Sequence, residues 1–226
     1  MREISLDTET TGLSFADGDK ITEIGCVEII DKKITGKTFH AYINPQREVG
    51  EKAAEISGLT YDFLKKFKTF KETYQEFLDF VKDSRLVIHN APFDIGFLNF
   101  ELGEVGASGF ILEETVDTLV MAKEKYPGSP ANLDALCRRF SVDSTQRIKH
   151  GALIDAELLA QVYINMSVEI TQKDIFGSIQ INTDNAETFD EKIYIKDRCF
   201  SPTETELNLH SEFMEKIKNS IWDNFN

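Results

Sequence analysis

Apolar positions in the first half of the chain alternate with a period of two in several short stretches, which is typical of β-strands. Residues 2–7 form a short apolar strand that ends in an acidic residue. Residues 20–30 and 34–43 are rich in β-branched and aromatic side chains, and only residues 31–33 separate them. This spacing predicts an antiparallel hairpin. A further brief apolar strand is predicted over residues 85–88.

Other stretches repeat their apolar residues with the 3.6-residue period of an α-helix. Proline at position 92 is also a residue type that begins helices. Helices are predicted over residues 69–83, from Pro92 onward, and over residues 118–126, 132–140 and 151–166. Because a strand hairpin is followed by β–α units, the pattern predicts an α/β fold with a mixed sheet that is flanked by helices.

The pattern changes after the last of these helices. We expect one domain over residues 1–170 and a linker over residues 171–191. Within this linker, residues 177–191 are polar and contain few large apolar side chains. Residues 192–226 regain apolar content, and helical spacing returns over residues 204–220. This C-terminal segment is too short to bury its apolar face alone, so we expect it to dock on another surface.

Composition narrows the class of protein. The 226 residues include 39 Asp and Glu but only 25 Lys and Arg, which gives a net charge of −14. A protein that holds duplex DNA with a broad basic face has the opposite balance. The three cysteines lie far apart without a CxxC pair, which excludes a disulfide scaffold and a cysteine-based zinc site. Since neither a membrane span nor a signal peptide is evident, we expect a cytoplasmic protein without a membrane partner.

Two acidic residues mark the end of the first predicted strand. Asp7 and Glu9 are two positions apart, so their side chains project to the same side of an extended segment. Carboxylates this close repel each other unless a cation lies between them, and hard oxygen ligands suit magnesium or manganese. A DxE pair alone is more often a solvated strand end, so its meaning depends on other acidic residues.

Two more acids and a histidine follow at similar places. Asp94 lies in the first turn of the helix after strand 85–88, where the helix dipole favours a negative charge. Asp155 lies one turn into its helix beside apolar positions, so it needs a partner or a metal. His150 precedes a glycine on a turn, and histidine accepts protons near neutral pH. Each residue alone has an ordinary structural explanation, but together at strand and helix ends they predict one site.

These five side chains are consistent with a site that cleaves phosphodiesters with two divalent ions, Mg²⁺ or Mn²⁺. Asp7 would bridge the two ions, and Glu9 and Asp155 would complete their coordination. Asp94 would act directly or through water. His150 would take the proton from the attacking water.

Three stretches resemble the exonuclease motifs of the DEDD superfamily in its histidine-containing branch: LDTETTGL (6–13), HNAPFDIGF (89–97) and HGALIDA (150–156). The runs KITEIGCVEI, ITGKTFHAYINP and NLDALCRRF are similar to the proofreading epsilon subunits of bacterial DNA polymerase III. The resemblance covers about residues 2–166. It implies a ribonuclease H-like fold and hydrolysis of DNA from the 3′ end with release of nucleoside 5′-monophosphates. Carried over by position, the catalytic residues are Asp7, Glu9, Asp94, His150 and Asp155.

The resemblance also implies contacts with the terminal nucleotide. Thr10 and Leu13 would lie beside its sugar and base. The terminal nucleotide would also contact three acidic residues of the site, Asp7, Glu9 and Asp155. After the third strand the family usually has a Glu and then a His-Gly pair, whereas this chain has Lys52 and Ser57-Gly58. A serine hydroxyl can still form a hydrogen bond and a lysine can contact a phosphate, so Lys52 and Ser57 are predicted substrate contacts.

The end of the chain resembles segments that bind other replication proteins. Gln172, Ile175 and Phe176 lie in the run QKDIF (172–176), which resembles the short sliding-clamp-binding peptide. Residues 192–226 resemble the segment of epsilon that docks on the catalytic (alpha) subunit of DNA polymerase III; a helix folded back on its own domain is the alternative. Such tethering would raise the effective concentration of the enzyme at a single-stranded 3′ end of DNA.

Two other functions remain open at this point. An RNA-trimming or oligonucleotide-degrading exonuclease of the same superfamily would carry the same motifs, since the 2′-OH is read by nearby contacts. A non-catalytic adaptor between polymerase and clamp would not need all five catalytic positions, and all five are present. The linker and the C-terminal segment favour a 3′→5′ exonuclease that proofreads DNA.

Overall fold

The computed structural model describes residues 1–145, 147, 149–177 and 203–216, with only the backbone described for 169–177 and 211–216. The chain divides into two compact units, Met1–Ile179 and Gln180–Asn226. Most of the predicted linker therefore lies outside the described residues, as do residues 192–202 and 217–226 of the predicted docking segment, which include the end of the helix predicted over 204–220. None of the helices within the described residues is both long and apolar enough to cross a membrane.

The first unit is built on a five-stranded mixed sheet with the spatial order β3-β2-β1-β4-β5. Strand β1 is central: it pairs antiparallel with β2 and parallel with β4, and β4 pairs parallel with β5. The predicted strands are therefore confirmed, with β1 longer than expected and β5 additional. The strands are β1 (Arg2–Thr10), β2 (Ile21–Ile30), β3 (Lys33–Tyr42), β4 (Arg85–Ile88) and β5 (Val116–Asp117).

The predicted hairpin between β2 and β3 is confirmed, and its turn is tighter than expected. Asp31 and Lys32 connect the strands with φ values of 49° and 60°. Two consecutive residues with positive φ match the twist of antiparallel strands, which explains how only two residues reverse the chain.

Helices cover the sheet on both faces. The predicted helices are confirmed, although the one expected to end at residue 166 continues to Gly177. Two short helices between β3 and the third helix were not expected. The helices are α1 (Glu51–Ser57), α2 (Tyr61–Leu64), α3 (Phe70–Val81), α4 (Ala91–Glu104), α5 (Thr118–Lys125), α6 (Leu133–Phe140), α7 (Ala152–Gly177) and, in the second unit, α8 (Glu204–Lys216).

Packing on the two faces explains why β1 holds the site. On one face, Ile4 and Leu6 of β1 are fully buried together with residues of α3 and α4, such as Phe77 and Leu98. On the other face, α7 packs against the sheet through small residues such as Ala156. Both faces of β1 are thus covered by helices. Its polar end lies where the helices α4 and α7 begin.

A glycine allows α7 to begin very close to the sheet. Gly25 on β2 is the register partner of Asp7 on β1. A Cβ atom at Gly25 would lie 2.2 Å from the backbone carbonyl carbon of Ala152. This contact is possible only without a side chain, and it brings the first turn of α7 next to the acidic end of β1.

Candidate active site

The acidic end of β1 forms one wall of an open cavity of about 450 Å³. Asp7 and Glu9 are both partly exposed to it, as expected for alternate residues of one strand. Asp94, His150 and Asp155 also line this cavity. The structure therefore brings together all five side chains that the sequence predicts to be catalytic.

Asp94 is placed by a sharp turn between β4 and α4. Asn90, with a φ of 70°, reverses the chain immediately before the helix, a conformation that asparagine tolerates better than most residues. Asp117 at the end of β5 accepts hydrogen bonds from the backbone nitrogens of Asn90 and Ala91, at 3.1 and 3.2 Å. The helix start is thereby fixed, and Asp94 in its first turn is only 3% exposed.

Thr8 connects Asp94 to the strand. Its backbone nitrogen and its hydroxyl donate to Oδ1 of Asp94 at 3.0 and 2.7 Å. One oxygen of this carboxylate is therefore bound within the protein, which leaves Oδ2 to act toward the cavity.

Asp155 and His150 come from the chain that enters α7. Asp155 is buried in the first turn, and its backbone nitrogen donates to the Gly151 carbonyl at 2.9 Å. His150 lies before the helix and is half-exposed, with its backbone nitrogen donating to the carbonyl of Ile56 at 3.3 Å. Nδ1 of His150 is 3.3 Å from Oδ2 of Asp155.

Arg147 is a residue of the site that the sequence did not predict. Its guanidinium donates from Nε to Oδ1 of Asp155 at 2.5 Å and from Nη2 to Oδ2 at 2.8 Å. Nη2 also lies 2.8 Å from Nδ1 of His150, and Nη1 pairs with Asp134 on α6. The sequence offered one signal, an arginine three residues before the predicted base, but it did not indicate the partner.

The electrostatics of the cavity favour a cation. Burial, followed by the repulsion from Asp94, Asp155 and Glu9, raises the pKa of Asp7 well above its usual value. Burial and the neighbouring Asp155 raise the pKa of Glu9 to about 8. Burial raises the pKa of Asp94 to about 7, although the bonds from Thr8 oppose this shift. Without a further cation, these carboxylates therefore hold protons more strongly than usual, and a bound cation would take the place of those protons.

The donor atoms fit a divalent cation. Glu9, His150 and Asp155 each offer one ligand atom, and these atoms lie within 4.8 Å of one another. Asp7 and Asp94 add carboxylates to the same cavity. Carboxylate oxygens with one imidazole suit magnesium or manganese, which supports the predicted class of cofactor.

A second, more apolar cavity of about 500 Å³ adjoins the acidic one. It shares Glu9 and Phe93 with it, and the predicted substrate contacts Thr10, Leu13 and Lys52 line it. The predicted contact Ser57 is not among its lining residues. Its hydroxyl donates to the carbonyl of Ala53 at 2.9 Å and accepts from the nitrogen of Leu59 at 3.2 Å.

The predicted clamp-binding side chains lie outside the part of the chain whose side chains are described. The backbone of the last turns of α7 includes Gln172, Ile175 and Phe176. Their role in partner binding therefore stays a prediction.

Comparison with known proteins agrees with these observations. The exonuclease family (RNase_T) matches residues 4–163. The DNA polymerase III subunit epsilon of Rickettsia conorii is 45% identical over 227 residues, covering 96% of this chain and 96% of the relative. The subunit epsilon of Haemophilus influenzae is 37% identical over 244 residues, covering 98% of this chain and 94% of the relative.

Solved structures show the same fold. Exonuclease X in complex with 5′-overhanging duplex DNA aligns with a TM-score of 0.55 at 24% identity, covering 74% of this chain and 91% of the other. The nuclease domain of 3′hExo, a DEDDh family member bound to rAMP, aligns with a TM-score of 0.62 at 17% identity, covering 74% and 92%. The predicted ribonuclease H-like fold is thus confirmed.

The relatives and the family match confirm the prediction of a 3′→5′ exonuclease that proofreads DNA. The chain belongs to the exonuclease family and, within it, to the epsilon subunits of DNA polymerase III.

Proposed function

We propose that this chain hydrolyses the 3′-terminal phosphodiester of DNA with two divalent ions, which are held by Asp7, Glu9 and Asp155. The observation that supports this most strongly is the meeting of four carboxylates and one histidine, from β1, α4 and the start of α7, in one cavity. Asp94 completes the acidic set, either as a ligand or through water. Bound ions would neutralise the phosphate and stabilise the leaving oxygen.

His150 is the proposed general base. It is half-exposed on a loop and its ring faces the carboxylates, so a water molecule between them is within reach. His150 would take the proton of that water as it attacks phosphorus, while the bond to the 3′ oxygen of the preceding nucleotide breaks. The product is then a nucleoside 5′-monophosphate.

The terminal nucleoside would occupy the apolar cavity. Leu13 is 87% exposed and Ile56 is 52% exposed, and both line this cavity beside Glu9. Exposed apolar side chains next to a charged site are suited to the faces of a base and a sugar. Thr10 and Lys52, which line the same cavity, would supply the polar contacts, and Lys52 would meet a phosphate. The Ser57 hydroxyl could accept a hydrogen bond from the nucleotide with its second lone pair, but it could donate one only in exchange for the carbonyl of Ala53.

The proposed partners follow from the relatives, which are named as subunits of DNA polymerase III. We propose that residues 192–226 bind the polymerase catalytic subunit and that Gln172, Ile175 and Phe176 bind the sliding clamp. Such tethering would let an acidic protein act on a single-stranded 3′ end without a basic groove of its own. The reaction would take place in the cytoplasm, where replication proteins of bacteria act.

The proposal is tested with 5′-labelled single-stranded DNA, mispaired duplex DNA and RNA, each with magnesium, manganese or EDTA. We expect shortening of the DNA from its 3′ end in either metal and none in EDTA. The variant Asp7→Ala should abolish cleavage while the far-ultraviolet circular dichroism stays unchanged. A preference for RNA would instead favour the RNA-trimming alternative, and full activity of Asp7→Ala would refute the assigned site.

A further inference from the structure

The side chain of Arg147 contacts atoms of the site that the proposed reaction needs. Arg147 is bonded to both oxygens of Asp155, at 2.5 and 2.8 Å. Two parallel bonds of this kind are the strongest arrangement between a guanidinium and a carboxylate. A divalent ion that uses Asp155 as a ligand must therefore share or displace this contact.

The same guanidinium also contacts the imidazole ring of His150. Nη2 of Arg147 is 2.8 Å from Nδ1 of His150, and a guanidinium can only donate. Nδ1 is therefore the accepting nitrogen, so that a neutral ring carries its proton on Nε2. In this arrangement the one available lone pair of the imidazole is bound to Arg147 and is not free to take a proton from water.

Charge explains why an arginine lies at this place. Among the described residues that line the cavity, Arg147 is the only lysine or arginine, and it faces a group of carboxylates of which Asp94 and Asp155 are buried. Its side chain is 9% exposed, so the cation is held inside the site and not at its rim. A buried acidic group without a cation is costly, and the guanidinium offsets part of that cost when no metal is bound.

The structure also offers Arg147 another partner. Its Nη1 pairs with Asp134, whose side chain is half-exposed on α6 at the edge of the same cavity. Between α6 and α7, the described residues 141–145, 147 and 149–151 belong to no helix or strand. A guanidinium that leaves Asp155 would therefore still have a second carboxylate, that of Asp134, as its partner.

We propose that Arg147 is an internal cation that occupies Asp155 and His150 in the metal-free protein and competes with the divalent ion for these two side chains. The proposal rests on the function proposed above. Binding of the ion moves the guanidinium toward Asp134, which frees the carboxylate of Asp155 and Nδ1 of His150 together. Arg147 is in this sense a positioning residue, since it acts through two side chains of the site.

Titration of the metal-free full-length protein with Mn²⁺, followed by calorimetry, tests the competition. Arg147→Gln should bind Mn²⁺ about tenfold more tightly than the wild type, since the ion no longer displaces a bidentate contact. Arg147→Lys, which keeps the charge but cannot form the paired bonds, should give an intermediate affinity. Lys149→Gln is the matched control: it removes the same charge two residues away, from a side chain that lines a different cavity, and should change the affinity less than about twofold.

Thermal unfolding separates competition from a merely structural role. Arg147→Gln should lower the melting temperature of the metal-free protein but leave that of the Mn²⁺-saturated protein unchanged. An equal loss with and without Mn²⁺, or an unchanged or weaker Mn²⁺ affinity in Arg147→Gln and Arg147→Lys, would overturn the inference. Absence of Mn²⁺ binding to the wild type would instead overturn the proposed function and this inference with it.

Discussion

Oδ1 of Asp94 on α4 accepts two hydrogen bonds from Thr8 on β1, one from the backbone nitrogen at 3.0 Å and one from the hydroxyl at 2.7 Å. Both residues are buried, so these bonds are shielded from water. The pair joins the central strand to the helix on one side of the sheet. It therefore fixes the distance between the carboxylate of Asp94 and the acidic residues on either side of Thr8.

We expect Thr8→Val to lower the turnover number about tenfold at saturating Mg²⁺, because one hydrogen bond to a charged group contributes about 1.5–3 kcal/mol. The backbone bond remains, so that the fold should be retained. Thr8→Ser keeps the hydroxyl and serves as the control, with turnover within about twofold of the wild type. Equal losses in the two variants would show that packing of the threonine methyl group, and not the hydrogen bond, matters.

The raised pKa values in the cavity predict an unusual pH dependence of stability. The pKa of Glu9 is about 8 in the folded metal-free protein, against an ordinary value of 4.5. Between these values the folded state binds more protons than the unfolded state, so stability falls as pH rises. The melting temperature of the metal-free protein should thus be higher at about pH 6 than at about pH 9. The difference should be a few degrees, since 1 kcal/mol of stability corresponds to about 2–4 °C for a protein of this size.

Magnesium should reverse this trend, since it replaces the protons as the counter-charge of the carboxylates. Saturating Mg²⁺ should therefore raise the melting temperature more at about pH 9 than at about pH 6. Glu9→Gln removes one of the titrating groups and should flatten the pH profile of the metal-free protein. A metal-free protein that becomes steadily more stable toward high pH would contradict the shifts.

The catalytic carboxylates could be found from the sequence because each follows from local rules. Asp7 lies near the end of a strand, and Asp94 and Asp155 lie in the first turns of helices, so their positions depend on nearby apolar patterns. Because helices follow the strands along the chain, the end of the strand and the starts of the two helices meet at one edge of the mixed sheet. The mixed sheet itself was predictable for the same reason.

Arg147 could not be found in this way. It lies between α6 and α7 in a segment without a periodic pattern, and its partners Asp134 and Asp155 belong to two different helices. Contacts of this kind depend on how the helices α6 and α7 pack, which no local rule contains. The helices α1 and α2 were missed for a related reason: each is shorter than eight residues, so two turns or fewer leave little periodicity to detect.

The close approach of α7 to β2 predicts a severe effect for a very small change. Gly25→Ala would place a methyl group 2.2 Å from the backbone of Ala152, so the start of α7 must move. We expect a loss of about 1–3 kcal/mol of stability, together with weaker Mg²⁺ binding because Asp155 shifts away from Asp7. Urea unfolding and Mg²⁺ titration of activity measure the two effects.

A second glycine provides the control. Gly103 lies in α4, where an added Cβ meets no atom within 4 Å. Gly103→Ala should therefore be neutral or stabilising by about 0.5–1 kcal/mol, since alanine favours the helix. If Gly25→Ala were tolerated as well as Gly103→Ala, the position of α7 on the sheet would not depend on this contact.

The exposed apolar side chains beside the acidic cavity predict which variants weaken DNA binding without affecting the chemistry. Leu13 and Ile56 line the apolar cavity and do not contact the proposed metal ligands through hydrogen bonds, as their side chains are aliphatic. If they cover the terminal nucleoside, truncation to alanine removes contact area that is buried only when DNA is bound. Each lost contact contributes about 1–2 kcal/mol at about 25 cal/mol per Å².

Leu13→Ala and Ile56→Ala should therefore each raise KM for single-stranded DNA about tenfold while kcat changes less than about twofold. Ile111→Ala is the matched control, because Ile111 is similarly exposed at 56% but does not line the cavity. Its KM should equal that of the wild type. A fall in kcat with unchanged KM would mean that these side chains act on the transition state and not on the binding of the nucleoside. Equal effects of all three variants would show that the apolar cavity does not bind the substrate.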